Sequence, residues 1–427
     1  MNMRELPSDP ARMGAREARD AIRAGTLTPT ELTEACLARV ESRDAEIHAW
    51  HFFDPALPRA EAATRSGAGQ LAGLPVGVKD VLATVDMPTA CGSPIYRGHK
   101  TGRDAACVAA LRNAGGVVLG KTATTEFAAY TPTSTRNPHN TAHTPGGSSS
   151  GSAAAVADFQ VPLALGTQTA GSVIRPASFC GIVGYKPTFG TIDVAGMHAF
   201  AASLDTLGVF ARSVGDAALF TGAMAGWDAL ADVAPAAPRR LRILRAPHWD
   251  LATAAAIDAV DSAARLAAAQ GVPVDELPLP DHLDEVVRVQ DLIQIFEGRR
   301  ALAWERIEHG DQLSEGLRSH LDRAASVSFA EYLAIRRAQI DWQARIDALF
   351  QPGDVWLTVS APGEAPEGMA TGDPVFSRAL TFLHVPCITL PHGLGPAGLP
   401  LGVQLVAARG DDMALLTAAA WLETRLG

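Results

Sequence analysis

Long apolar runs, basic patches and paired cysteines are all missing from this sequence. Its five cysteines, Cys36, Cys91, Cys107, Cys180 and Cys387, are odd in number and show no CxxC spacing. That argues against a disulfide framework or a thiolate zinc site and fits a reduced, cytoplasmic compartment. No apolar stretch reaches the roughly 18 residues of a membrane-spanning helix, so no membrane role is expected. The opening segment, MNMRELPSDPARMG, lacks an apolar h-region, so no signal peptide is expected there. Basic residues occur singly or in pairs and the net charge is −10, which speaks against a nucleic-acid partner. The twelve histidines form no HxH or HExxH pattern. His139 and His143 have i,i+4 spacing, but Pro138 and Pro145 disfavour a helix there, so no metal is expected. A GxSxG nucleophile motif is also missing.

What remains is ordinary globular composition, 47% hydrophobic and 19% charged. Residues 14–46 read as two helices, with Thr30 expected to cap the second and Glu31 in its first turn. LAGLPVGVKD (71–80) and GGVVLGKT (115–122) read as short strands, and residues 123–147 as irregular chain. An alanine-rich helix and a strand follow Ser152. Residues 213–350 read as mostly helical, with an αβ unit near 239–246. VPCITLP (385–391) and LPLGVQLVA (399–407) read as strands before a closing helix. Alternating strands and helices predict an α/β layered fold. One large domain, 1–427, is expected: N-terminal helices 1–65, a core 66–215, a helical insertion over about 216–350, and a C-terminal sheet and helix 351–427.

The stretch TPGGSSSGSAAA (144–155) has the composition of a flexible linker. Its flanks contradict that, because a helix former run and short strands adjoin it directly. A phosphate-binding reading rests on Gly115 to Thr122, which fits GxxxxGK[ST]. There Val117, Val118 and Leu119 occupy positions that a phosphate cradle needs in glycine-like conformations, so the segment reads as a strand ending in a salt-bridged or exposed Lys121. The third reading is chemical. A serine hydroxyl is a weak nucleophile and needs a base. A lysine desolvated by burial can be that base, and glycine-rich backbone can donate N–H groups to an oxyanion. Lys79 at a strand end, the serines after Gly146-Gly147 and Ser172 in TAGS supply these parts.

At these residues the chain resembles the amidase signature family, nearly end to end. The likeness runs through GLPVGVKD, GKTATTEFA, PGGSSSGSAAAVA, LALGTQTAGSVIRPASFCGIVGYKPTFG, SLDTLG and GLPLGVQLVA. It implies an α/β domain built on a central twisted mixed sheet with helices on both faces. It further implies a Ser–cis-Ser–Lys triad: Lys79 as general base, Ser148 as bridging serine after a cis Gly147–Ser148 bond, and Ser172 as nucleophile. The backbone N–H groups of Thr169, Ala170, Gly171 and Ser172 would form the oxyanion hole. Thr167 would support the loop, Gly147 would adjoin substrate, and Ser149, Ser150 and Ser152 would satisfy backbone groups. The implied partners are a small-molecule amide and water, with no cofactor and no metal, in a homodimer.

The chain departs from the common form GTDTGGSIRIPA. Gln168 replaces an aspartate, Ala170 replaces a glycine, and the arginine stands three residues after Ser172, as Arg175. This SVIRPA form resembles malonamidase-like members. It implies that Arg175 receives a substrate carboxylate or carbonyl, since guanidinium pairs bidentately with carboxylates. The alternative is that Arg175 pairs with an internal acid such as Asp205 or Glu126 and braces the loop. The segment 360–386 could wall the pocket, with Glu364, Asp373 and His384 as lining, turn or cap residues. The expected activity is hydrolysis of a small amide. Aryl amides, carbamates, ureas or esters are alternative substrates. A catalytically dead scaffold is another alternative, as is an amidotransferase A-type subunit.

Overall fold

The computed structural model describes residues 9–129 and 131–426. The leader reading of residues 1–8 therefore lies outside the described residues. Eleven strands form one sheet. In chain order they are β1 (Trp50–Phe52), β2 (Pro75–Lys79), β3 (Val117–Thr122), β4 (Leu163–Gln168), β5 (Val183–Lys186), β6 (Thr206–Ala211), β7 (Arg240–Leu244), β8 (Val274–Leu277), β9 (Asp354–Val359), β10 (Cys387–Leu394) and β11 (Pro400–Val406). Their spatial order is β1-β3-β2-β4-β6-β5-β10-β11-β9-β7-β8. The pairs β3–β2–β4 and β9–β7–β8 are parallel, and the strands between them are antiparallel. The sheet is thus mixed, as expected.

Every residue of β2, β3 and β4 is buried. Strands covered on both faces read as continuous apolar runs, which is why PVGVK and LALGTQ show no polar alternation. Within the segment 115–122, Val117–Thr122 is strand β3 and not a phosphate loop. Gly166 in β4 is fixed by close approach. A Cβ there would lie 2.5 Å from Phe210 Cε2 and 2.9 Å from Ser149 Oγ, so glycine is what lets the serine loop lie on the strand.

Two expectations need correcting. Thr28, not Thr30, caps the helix Pro29–Ile47. Its side chain accepts from Glu31 N–H while Glu31 accepts from Thr28 N–H, and Pro29 sits at the first helical position, where a missing N–H costs nothing. The stretch 216–350, expected as a helical insertion with an αβ unit near 239–246, carries β7 at that unit and also β8, which joins β7 at the edge of the same sheet. The run VDEL of β8 mixes charged with apolar residues and so hides among helical patterns. No helix among the described residues is long and apolar enough to cross a membrane.

Candidate active site

β2 ends at Lys79, whose side chain is fully buried. Its Nζ donates to Ser148 Oγ at 2.8 Å and to Thr167 Oγ1 at 2.7 Å. Ser148 follows a cis Gly147–Ser148 peptide bond, and Thr167 lies in the neighbouring strand β4. The register explains the meeting, since β2 and β4 are parallel neighbours paired through Val78 and Leu165. Burial pulls the Lys79 pKa down from 10.5 to about 7, against the pull of the Asp205 charge. An amine in dry surroundings loses the hydration that favours its charged form.

The other serines behave as backbone partners. Ser149 Oγ donates to Thr167 O, Ser150 Oγ to Gly146 O at 2.8 Å, and Ser152 Oγ to Leu165 O at 2.8 Å. These bonds tie the glycine–serine loop to β4 and to the start of the helix Ser150–Ala157. The linker-like composition therefore belongs to an ordered, buried loop.

The second loop runs from Gln168 to the helix Ile174–Phe179. Gln168 caps the start of that helix. Its Oε1 accepts from Val173 N–H at 2.9 Å and Ile174 N–H at 3.0 Å. Ala170 avoids positive φ, so its Cβ is accommodated without backbone strain. The carbonyl groups of this loop are held from behind. Gln290 donates to Thr169 O at 2.9 Å, Thr381 Oγ1 to Ala170 O at 2.8 Å, and Arg175 N–H to Gly171 O at 3.0 Å. No protein acceptor among the described residues takes the N–H groups of Thr169, Ala170, Gly171 or Ser172.

Ser172 opens onto a cavity of about 20 Å³, lined also by Ala128, Ala129, Thr169, Ala170, Arg175 and residues of the segment Thr371 to Pro374. Roughly 10–15 Å³ accommodates one water, so the free space directly beside Ser172 is small. The roof is tight: a Cβ on Gly147 would lie 2.6 Å from Thr371 Cγ2. The segment 360–386 thus does wall the site, through Thr371 to Pro374. Of its ionisable residues, Glu364 accepts from Ala397 and Leu399 N–H, and Asp373 from Val375 N–H. His384 stacks on Phe189 and contacts Ser203 O.

Arg175 is buried and lines the same cavity as Ser172. Its Nη2 donates to Gly147 O at 2.6 Å, across the cis bond. Neither of the acids considered as its partner fills that role. Asp205 accepts from Thr169 Oγ1 at 2.5 Å and from Phe200 and Ala201 N–H, while Glu126 accepts from Ser314 N–H. Burial pushes the Asp205 pKa up to about 6 despite these donors and the Lys79 charge. Sequence reasoning missed Asp205 as the anchor of Thr169, and missed Gln290 and Thr381 entirely. His139 and His143 contact backbone carbonyls of Cys180 and Ala365, and no metal-holding cluster occurs among the described residues.

This fold and these loops define an enzyme acting on carbon–nitrogen bonds. The chain belongs to the Amidase family, whose model matches residues 31–416. It is similar to the A-type subunit of glutamyl-tRNA(Gln) amidotransferase from Anaeromyxobacter dehalogenans (strain 2CP-C), 34% identical over 484 residues covering 97% of this chain and 96% of that protein. A similar solved structure is a chain from a vestigial protein complex tied to the evolutionary origins of an s-triazine catabolic enzyme. It has a TM-score of 0.88 at 29% identity, covering 97% of this chain and 100% of that one. Another is 6-aminohexanoate cyclic dimer hydrolase complexed with substrate, with a TM-score of 0.85 at 27% identity and 98% of each chain covered.

Proposed function

We propose that the protein hydrolyses a small linear amide through an acyl-enzyme on Ser172. The observation that carries this reading is the buried Lys79 amine, lowered to about 7 and in contact with Ser148 and Thr167 hydroxyls. Near neutral pH a large share of it is free base, as a proton acceptor must be. Ser172 Oγ attacks the amide carbon. Its proton passes to Ser148, whose own proton passes to Lys79 Nζ across the 2.8 Å contact. The oxyanion is held by the N–H groups of Thr169, Ala170, Gly171 and Ser172. Collapse breaks the C–N bond as the relay returns the proton to the leaving amine. Water then releases the acyl group by the same relay. The segment Thr371 to Pro374 borders the space in which the amide would meet Ser172.

Arg175 is proposed to serve twice. One nitrogen braces Gly147 O, and the guanidinium meets a carboxylate or carbonyl of the bound amide. Matched small amides test this, one a dicarboxylic acid half-amide and one its neutral ester or diamide, with ammonia or amine release as readout. Arg175→Ala should raise KM selectively for the acid. Equal loss on both members would leave bracing as its whole role and turn the search to aryl amides, ureas, carbamates or esters. The likeness to A-type amidotransferase components supports a second reading, as the ammonia-producing part of a larger complex. Glutamine as the one amide cleaved, and only with partner chains present, would favour it. With the first reading goes a homodimer, which light scattering reads directly.

A further inference from the structure

We infer that Gln290 and Thr381 are positioning residues that set the donor strength of the oxyanion loop from behind. The inference rests on the proposed hydrolase reading. It concerns residues outside the two signature loops, on the helices Leu283–Ala301 and Val375–Phe382.

A peptide unit is planar, with its C=O and N–H pointing in opposite directions. Pinning a carbonyl therefore aims the next residue's N–H the other way. Gln290 Nε2 holds Thr169 O, which fixes the plane that carries the Ala170 N–H. Thr381 Oγ1 lies 2.8 Å from Ala170 O, and when its hydrogen goes there and not to Ser377 O at 2.9 Å it fixes the plane of the Gly171 N–H. Hydrogen bonding to a carbonyl also polarises the N–H of the same unit, because linked hydrogen bonds strengthen one another in a low dielectric. Both side chains are fully buried, so water does not compete for these bonds.

Each positioning group is itself oriented. Arg378 Nη1 donates to Gln290 Oε1 at 2.6 Å, which leaves the Gln290 NH2 group to face Thr169 O and, at 3.0 Å, Gln294 Oε1. Arg378 also pairs with Asp291, which in turn pairs with Arg323 at the surface. Thr381 Oγ1 accepts from Gln168 Nε2 at 3.0 Å, and its one hydrogen has two carbonyls within reach, Ala170 O at 2.8 Å and Ser377 O of its own helix at 2.9 Å; the positioning role assigns it to Ala170 O. A Gln168 amide can donate this bond, whereas an ionised aspartate only accepts.

The test compares Thr381→Val, Thr381→Ser and Gln290→Met with the wild type on one small amide. Labelling of Ser172 by a fluorophosphonate is followed in parallel by intact mass. Thr381→Val and Gln290→Met should each lower kcat about 10- to 100-fold, below the loss from deleting an oxyanion donor outright. KM should stay within about threefold, and Thr381→Ser should restore most of kcat. A tetrahedral inhibitor such as a boronate should weaken in proportion to kcat. Equal losses in Thr381→Val and Thr381→Ser, or a KM rise with kcat unchanged, would overturn the inference. Should Gln290→Met not fold, the threonine pair decides alone, with thermal melting as the control. Wild-type protein that neither labels at Ser172 nor turns over any amide would overturn the hydrolase reading, and the positioning role with it.

Discussion

Lys79 and Lys121 stand near the ends of adjacent parallel strands, and both are fully buried. They differ in company. Lys121 Nζ lies 3.1 Å from Asp80 Oδ1 and donates to Thr89 Oγ1 at 2.6 Å. The direct partners of Lys79 are two hydroxyls. Burial lowers both pKa values, and for Lys121 the Asp80 charge is the main force resisting that shift. A buried lysine with a carboxylate is a structural ion pair. The Lys79 amine, among hydroxyls, is the one proposed here as the base.

The largest expected effect comes from exchanging each amine for an apolar side chain. Lys79→Met should lower activity by a factor of about 10²–10⁴, the usual span for loss of a general base, while the melting temperature changes little. Lys121→Met should do the reverse, because it strands the Asp80 carboxylate in the interior. Breaking one side of a buried pair costs about 3–5 kcal/mol. Kinetics and thermal melting on both variants separate the two roles. Stability loss in Lys79→Met equal to that in Lys121→Met would erase the distinction.

Next in size is the pH profile. Lys79 must be neutral to accept a proton, so kcat/KM should fall about tenfold per pH unit below its pKa of about 7 and level off above it. The same shift affects stability. Between about 7 and 10.5 the unfolded lysine is charged and the folded one is not. The unfolded chain then binds more protons, so this group's contribution to stability grows as pH rises through that window. The smallest effect is assigned to Thr167→Val, which removes one hydroxyl from Lys79 and should cost about tenfold in kcat through misorientation of the amine. A variant with wild-type kcat would make Thr167 a packing residue.

The same contrast shows what a sequence carries. The two glycine–serine loops were marked by the family resemblance of their motifs, beside the local pattern of serines after glycines and a lysine at the end of an apolar run, and the structure places Lys79 against Ser148 after the cis bond that the resemblance implied. The strands β2 to β4 were legible as apolar runs for the reason that both their faces are covered. The groups behind the oxyanion loop were not legible. Gln290 and Thr381 meet Thr169 and Ala170 only through the fold, across long sequence separations, and nothing in their neighbourhoods marks a buried glutamine or threonine as a loop anchor. Asp205 was noticed, but as a partner for Arg175. Its carboxylate instead takes the Thr169 hydroxyl and two backbone N–H groups, a choice set by where β6 begins beside β4. The edge strand β8 was obscured because its short run VDEL exposes Asp275 and Glu276.

Catalysis by this route depends most directly on the protonation of one amine. The chain has four lysines, Lys79, Lys100, Lys121 and Lys186. Lysine labelled with carbon-13 at Cε therefore gives a spectrum simple enough to titrate, with Lys79→Met assigning the signal. A Lys79 midpoint near 7 is the predicted result. A midpoint close to the ordinary value of 10.5 would leave Lys79 charged at neutral pH and contradict its role as the base.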